Sequence, residues 1–95
     1  MNKDQILILQ KAIDHFGMVK QIMKASEECI ELAHALNDLA KDPLYLPNIK
    51  QVEEEIADVK IIINQIMFMY PKMDLKPWLD KKIKRLEERI KENAS

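Results

Sequence analysis

The sequence predicts an all-α protein: a four-helix bundle with two long, antiparallel central helices. The 95-residue chain contains one glycine, 33% charged residues and only 5% aromatic residues. Its apolar residues, 47% of the chain, are mainly Ile, Leu, Met, Val and Ala, a composition typical of helical proteins. A chain of this length forms a single domain, which we assign to residues 1–95.

Glycine and proline positions predict where each helix begins and ends. Gly17 ends the first helix, Asn48 is a plausible N-cap for the third, and Pro71 stops the third after Tyr70. Pro77 fits the first turn of the last helix. The four predicted helices cover residues 4–16, 18–41, 49–70, and a final stretch that opens at 74 or 76 and ends near 93.

Charge and hydropathy argue against two classes of binding partner, nucleic acids and membranes. The net charge of −1, from 15 basic and 16 acidic residues, argues against nucleic-acid or membrane binding driven by charge. No apolar run approaches the roughly 20 residues of a membrane span, and the polar N-terminal residues do not predict a signal peptide. A single cysteine, Cys29, is typical of a reducing compartment. We therefore expect a cytoplasmic protein with no nucleic-acid and no membrane partner.

Acidic residues interrupt the apolar face of the third helix. On a helical wheel, its apolar residues from Ile49 to Tyr70 share one arc, which we predict to be buried. Glu55 falls inside that arc and Asp58 lies at its border. A buried, ionised carboxylate is costly unless a counter-charge or a proton neutralises it. For Glu55 taken alone, a salt bridge to a lysine is the simpler interpretation.

The second helix carries a matching acidic cluster. Glu28 and Glu31 are three residues apart, as are Glu55 and Asp58, so antiparallel packing of the two helices brings both pairs together. Lys24 offsets one charge but not four. We therefore predict Mg²⁺, with Mn²⁺ as an alternative, held by these four carboxylates.

These motifs are similar to those of a known family. E-E-C-I-E at residues 27–31 precedes E-I-A-D at residues 55–58, with 23 residues between them. This arrangement resembles the MazG-type branch of the all-α nucleoside triphosphate pyrophosphohydrolases, which is related to the dimeric dUTPases and dCTPases. The flanking segments A-I-D-H-F-G and E-E-I-A-D-V-K-I-I-I extend the resemblance over roughly residues 10–70.

The resemblance implies an activity and a set of site residues. A nucleoside triphosphate would be hydrolysed between its α and β phosphates, which gives a monophosphate and pyrophosphate. The implied metal ligands are Glu28, Glu31, Glu55 and Asp58. Glu27 and Glu28 would be catalytic, with Glu27 as an accessory carboxylate that orients the attacking water. Gln21 and Lys24 could face the base or the phosphates, although two solvated helix residues are an equally good interpretation.

Other interpretations stay open at this stage. A non-catalytic helical oligomerisation or interaction module, an inactive relative, fits the amphipathic helices and six methionines equally well. Glu31 and His34 form one E-x-x-H motif, but a carboxylate-bridged di-iron site needs that motif twice. We further expect Cys29 to be a small buried residue and Trp78 to anchor the fourth helix.

The chain is also predicted to associate with itself. Helices two and three carry more apolar residues than one shared face can cover, and an exposed apolar stripe marks an interface. The residues predicted to lie outside the shared face are Val19, Ile22, Met23, Ile30, Ala33, Ile61 and Phe68. We expect a homodimer or a homotetramer, since closed symmetry is the commonest form of self-association.

Overall fold

Four helices make up the fold in a computed structural model that describes the backbone of residues 1–94 and the side chains of residues 1–93. The helices are α1 (Lys3–Phe16), α2 (Met18–Lys41), α3 (Leu46–Met69) and α4 (Lys76–Ala94). The described residues contain no strand, so the all-α class is confirmed. Within this part of the chain, no helix combines the length and the apolar character needed to cross a bilayer.

The packing of α2 against α3 is the most extensive in the molecule, and α1 packs against both. Near the connection between these two helices, the side-chain amide of Asn48 donates a hydrogen bond to the carbonyl oxygen of Asp38 at 3.2 Å. At the other end of the pair, Gln21 of α2 and Gln65 of α3 line the same cleft. The two long helices therefore run antiparallel, as predicted.

The predicted N-cap of α3 is wrong. The helix begins at Leu46, its N-cap position is Tyr45, and Pro47 lies in its first turn. Proline is well placed there because the N–H it lacks would have no partner inside the helix. Asn48 lies in that first turn, and its side chain links α3 to the end of α2.

The turn between α1 and α2 depends on one residue. Gly17 has a φ of +90°, a backbone conformation that residues with a Cβ atom rarely adopt. Its N–H donates to the carbonyl of Ile13 at 2.8 Å, and its own carbonyl accepts from Gln21 at 3.2 Å. Gly17 therefore ends α1 and starts α2 without an intervening loop, which keeps Phe16 close to the first turns of α2.

The core is small and half polar. Its buried apolar residues are Leu9, Ala35, Val52 and Ile62. Its buried polar residues are Gln21, Glu28, Glu55 and Gln65. The Gln65 amide donates to the carbonyl oxygen of Leu9 at 3.2 Å, so one polar side chain fastens α3 to α1. A core of this kind leaves much apolar surface uncovered.

The predicted buried face of α3 is correct for only part of its length. Val52 and Ile62 are buried, whereas several other residues of the predicted arc are 37% to 51% exposed, namely Ile49, Ile56, Ile63 and Tyr70. The reason is that α2 and α1 cover only part of the arc and α4 covers none of it.

Helix α4 stands apart from the other three. In the described part of the chain, no Cα atom of α4 lies within 8 Å of α1, α2 or α3. Trp78 is 60% exposed, so the expectation that it anchors α4 is wrong within the single chain. The expectation for Cys29 is also wrong, because its side chain lies on the exposed side of α2.

The placement of two isoleucines on α3 gives a stability prediction. Ile62 is 3% exposed and Ile56 is 51% exposed. Ile62→Ala should lower the free energy of unfolding by roughly 2–4 kcal/mol through lost burial and a new cavity. Ile56→Ala, the same substitution on the same helix, should cost much less. Urea unfolding of both variants tests the assignment, and equal losses would contradict it.

Candidate metal centre and adjoining groove

Two glutamates meet in the contact between α2 and α3. Glu28 is 7% exposed and Glu55 is 8% exposed, since each lies on the face that its helix presents to the other. One carboxylate oxygen from each of Glu28, Glu31 and Glu55 lies within 4.8 Å of the other two. The structure therefore brings three of the four predicted ligands together.

The hydrogen bonds of this cluster leave two oxygens without partners. Glu28 Oε1 lies 3.1 Å from Lys24 Nζ, and Glu55 Oε1 accepts from Gln51 Nε2 at 2.8 Å. The Oε2 atoms of Glu28 and Glu55 are buried and have no hydrogen-bond partner among the described residues. Buried acceptors of this kind are rare in proteins and costly in free energy.

The interpretation of Glu55 as one partner of a salt bridge to a lysine is wrong for the described chain. Its partner is the neutral amide of Gln51, and no lysine or arginine of the described chain forms an ion pair with it. A neutral amide shares the hydrogen bond but leaves the carboxylate charge in place. Glu55 therefore joins Glu28 and Glu31 without a cation of its own in the described chain.

Electrostatic repulsion acts on the carboxylate of Glu31. The Glu28 carboxylate raises the pKa of Glu31 above its usual range, and loss of hydration and Glu55 add to the effect. Lys24 acts in the opposite direction on Glu31. Glu28 in turn raises the pKa of Lys24, mainly through their hydrogen bond, so this lysine remains charged. One cation thus faces three carboxylates.

The donor set fits a divalent cation. Mg²⁺ and Mn²⁺ prefer oxygen ligands, and Mg²⁺ is usually held by a few carboxylates together with water and substrate oxygens. The unpartnered oxygens of Glu28 and Glu55 could supply two such ligands from the buried side. Glu31 is exposed, so the cluster opens to solvent on its side and leaves room for further ligands.

Asp58 lies beside the three-carboxylate cluster and is not a member of it. The group of oxygens within 4.8 Å contains Glu28, Glu31 and Glu55. Asp58 is half-buried and lines a cleft of about 180 Å³ with Glu28 and Lys24. In this structure it therefore belongs to the wall of the cleft that leads to the cluster.

A larger groove continues from this cleft along α2. Gln21 and Lys24 line both cavities, so the two spaces adjoin. The groove has a volume of about 440 Å³ and is lined by Phe16, Lys20, Gln21, Met23, Lys24 and Glu27. Gln21 is buried, which contradicts its interpretation as a solvated helix residue, whereas the Lys24 side chain is 54% exposed.

Sequence reasoning missed three residues of the groove: Phe16, Lys20 and Met23. Lys20 lies four residues before Lys24, and Met23 lies four residues before Glu27, so helical spacing from the predicted residues could have identified both. Phe16 precedes Gly17, whose glycine-specific φ brings the end of α1 against α2. The glycine at position 17 was visible in the sequence, but the resulting position of Phe16 in the groove depends on the three-dimensional geometry of the turn.

Comparison with protein-family models, with curated proteins and with solved structures finds no match to this chain. The resemblance to the MazG-type pyrophosphohydrolases is therefore carried by the motifs at residues 27–31 and 55–58 and by their flanking segments.

The ion pair to Glu28 gives a prediction about the metal-free protein. Lys24→Gln should lower the melting temperature in a chelating buffer, because the buried Glu28 carboxylate loses its cation. Added Mg²⁺ or Mn²⁺ should restore stability by replacing that charge. Lys20→Gln is the matched control, since Lys20 lines the same groove without an ion pair in the described chain. Thermal melts that are identical for the two variants would contradict the role of Lys24.

The raised pKa of Glu31 gives a prediction about pH. Because folding raises this pKa above the ordinary value of 4.5, the ionised carboxylate disfavours the folded state at neutral pH. Glu31→Gln should therefore raise the melting temperature of the metal-free protein at pH 7. The gain should shrink as pH falls through the raised pKa and vanish below the ordinary value, where both states are protonated.

The control for this pH series is Glu53→Gln. Glu53 is exposed and pairs with Lys50 at 3.7 Å, so its removal relieves no repulsion and should give no gain at pH 7. A gain for Glu31→Gln that persists below pH 4.5, or one that is matched by Glu53→Gln, would contradict the electrostatic explanation. Melting curves followed by circular dichroism measure both variants.

Proposed function

We propose that this protein is a metal-dependent nucleoside triphosphate pyrophosphohydrolase, which converts a (d)NTP to a (d)NMP and pyrophosphate. The observation that carries the proposal is the meeting of Glu28 and Glu55 with one buried, unpartnered oxygen each. A purely structural role leaves this arrangement unexplained, because the same contact made by apolar residues would be more stable. The motif resemblance supplies the reaction.

The shape and chemistry of the groove support a nucleotide as the substrate. Its volume of about 440 Å³ lies within the range of small-molecule sites. Phe16 and Met23 offer apolar surface for a base, while Lys20 and Lys24 offer positive charge for phosphates. The apolar wall and the cations lie in one groove that continues into the acidic cleft, as a molecule with a base and a phosphate chain requires.

The proposed reaction breaks the bond between the α phosphorus and the oxygen that bridges it to the β phosphorus. Water supplies the new oxygen on the α phosphorus, and the bridging oxygen leaves with pyrophosphate. Glu27 is exposed at the groove, where its carboxylate can orient the water and accept its proton. Lys24 lies between the groove and Glu28, where its charge favours the phosphate chain. Gln21, buried at the same junction, can donate a hydrogen bond that fixes the substrate's position.

In this proposal Glu28, Glu31 and Glu55 hold Mg²⁺ or Mn²⁺, and Asp58 adds a carboxylate from the wall of the cleft. The cation would screen the negative charge of the phosphates, which otherwise repel both the attacking water and the glutamates. The buried carboxylates keep their place because Gln51 and Lys24 each hold one of their oxygens. Such partners fix the orientation of ligating carboxylates.

A second candidate function is a non-catalytic helical interaction module. The exposed apolar residues of all four helices favour it, since such surface is covered in most proteins by a partner. We include self-association in the proposal as well, with a homodimer or homotetramer as the expected state. The interaction module alone leaves the two buried glutamates without a role, which is why we place the enzyme first.

Glu55→Gln tests the enzyme proposal. It should abolish pyrophosphate release from natural and oxidised (d)NTPs in the presence of Mg²⁺ or Mn²⁺, because the site loses a buried anionic ligand. The metal-free variant should remain folded and melt at or above the wild-type temperature, since one repelling charge is removed. Products are identified by chromatography, which separates monophosphate and pyrophosphate from diphosphate and phosphate.

The matched control is Glu54→Gln, the same change at the exposed neighbouring position, which should keep wild-type turnover. Full turnover by Glu55→Gln, or its unfolding, would contradict the role given to Glu55. If no nucleotide yields pyrophosphate with the wild-type protein and either metal, the enzyme proposal fails and the interaction module takes its place.

A further inference from the structure

Helix α4 exposes a continuous apolar stripe that nothing in the single chain covers. In the described residues, α4 does not pack against the other helices, since none of its Cα atoms lies within 8 Å of them. The stripe consists of Leu79, Ile83, Leu86 and Ile90, which are 54% to 63% exposed. Exposure of four large aliphatic side chains in one row is unfavourable in water, so the stripe needs an occupant.

The spacing of the stripe is that of a coiled coil. Its residues are separated by four, three and four positions, the alternation of a heptad repeat. In this register isoleucine occupies the a positions 83 and 90, and leucine occupies the d positions 79 and 86. The remaining a and d positions of the helix, Lys76 and Asn93, lie at its two ends and are polar. Isoleucine at a with leucine at d favours two parallel strands over higher assemblies.

The charges beside the stripe indicate the orientation of the two strands. Lys82 and Arg89 occupy the g positions, and Asp80 and Glu87 occupy the e positions. Two parallel copies place Lys82 opposite Glu87 of the partner subunit, twice by symmetry. Antiparallel copies would place Lys82 near Arg89 and Asp80 near Glu87, which juxtaposes like charges. Charge complementarity therefore selects the parallel pair.

The side chains of this pair are free to meet. Lys82 is exposed and makes no ion pair within the described chain. Glu87 Oε1 binds Lys91 at 3.0 Å in the same helix, with the glutamate side chain 64% exposed, so its second oxygen can accept from a second lysine. Lys91 lies at a b position, away from the seam, and so does not compete for the space between two copies.

We propose that α4 pairs with α4 of a second copy as a parallel, two-stranded coiled coil, with Leu79, Ile83, Leu86 and Ile90 as its seam. This inference does not rest on the proposed hydrolase activity, because it uses α4 alone. The pairing places the two α1–α3 bodies at the same end of the coil, since both α4 helices start there. It assigns the expected self-association to a particular surface of the chain.

Sedimentation of the full chain at micromolar concentration tests the association. The wild type should form dimers and Ile83→Lys should weaken the dimer by tenfold or more, about 1.4 kcal/mol. Because Ile83 is exposed and α4 does not pack against another helix of the described chain, this substitution should leave the α1–α3 body folded, which circular dichroism can check. A wild-type monomer, or an Ile83→Lys dimer as strong as the wild type, overturns the proposal.

Charge exchange tests the parallel pairing. Lys82→Glu should weaken the dimer about tenfold, whereas Lys84→Glu, the same change on the outer face, should leave it unchanged. Combining Lys82→Glu with Glu87→Lys should restore association, because positions 82 and 87 meet only between copies. A docking of α4 on the partner's α1–α3 body predicts no such rescue, so absence of the rescue overturns the coiled coil.

Disulfide formation is an independent test of whether the two α4 helices are parallel or antiparallel. In a Cys29→Ser background, Leu79→Cys should form a cross-linked dimer on oxidation, since equivalent seam positions face each other in a parallel coil. In an antiparallel coil the two sites would lie about 16 Å apart along the axis, beyond the reach of a disulfide. Lys84→Cys is the outer-face control, and equal cross-linking of the two variants overturns the proposal.

Discussion

The meeting of Glu28 and Glu55 across the α2–α3 contact is the constraint on which this structure depends. Burial of two carboxylates is costly, and the core that bears the cost has only four buried apolar residues in the described chain. Lys24 and Gln51 each hold one oxygen of the pair, which fixes the side chains without neutralising the cluster. The helix pair is therefore built around a charge that the chain itself does not balance.

This constraint would set the proposed function against stability in α2. The helix supplies the buried Glu28, the exposed Glu31 and the groove residues Gln21 and Lys24. Residues that would strengthen the core are thus replaced by residues to which the proposed site assigns a binding role, a trade that is common at functional sites. A cation that binds only the folded state would recover part of the lost stability. A second copy that covers the stripe of α4 would recover another part.

The sequence predicted what depends on local spacing and missed what depends on packing. The helices, the Gly17 boundary and the approach of Glu28, Glu31 and Glu55 follow from helical periodicity and antiparallel pairing. The cap at Asn48 was wrong because Pro47 suits the first turn of a helix that starts earlier. The helical wheel could not reveal that Ile56 stays exposed while α4 stands away from α3. The position of Asp58 beside the cluster likewise depends on side-chain placement in three dimensions.

Calorimetric titration of Mn²⁺ into the metal-free protein tests the central claim most directly. The wild type should bind the ion saturably, and a Glu28→Gln/Glu55→Gln double variant should lose that binding while it remains folded. A Glu53→Gln/Glu54→Gln double variant removes the same charge from exposed positions and should bind like the wild type. The absence of saturable binding to the wild type, or equal binding by both double variants, would contradict the claim that a cation completes the buried pair.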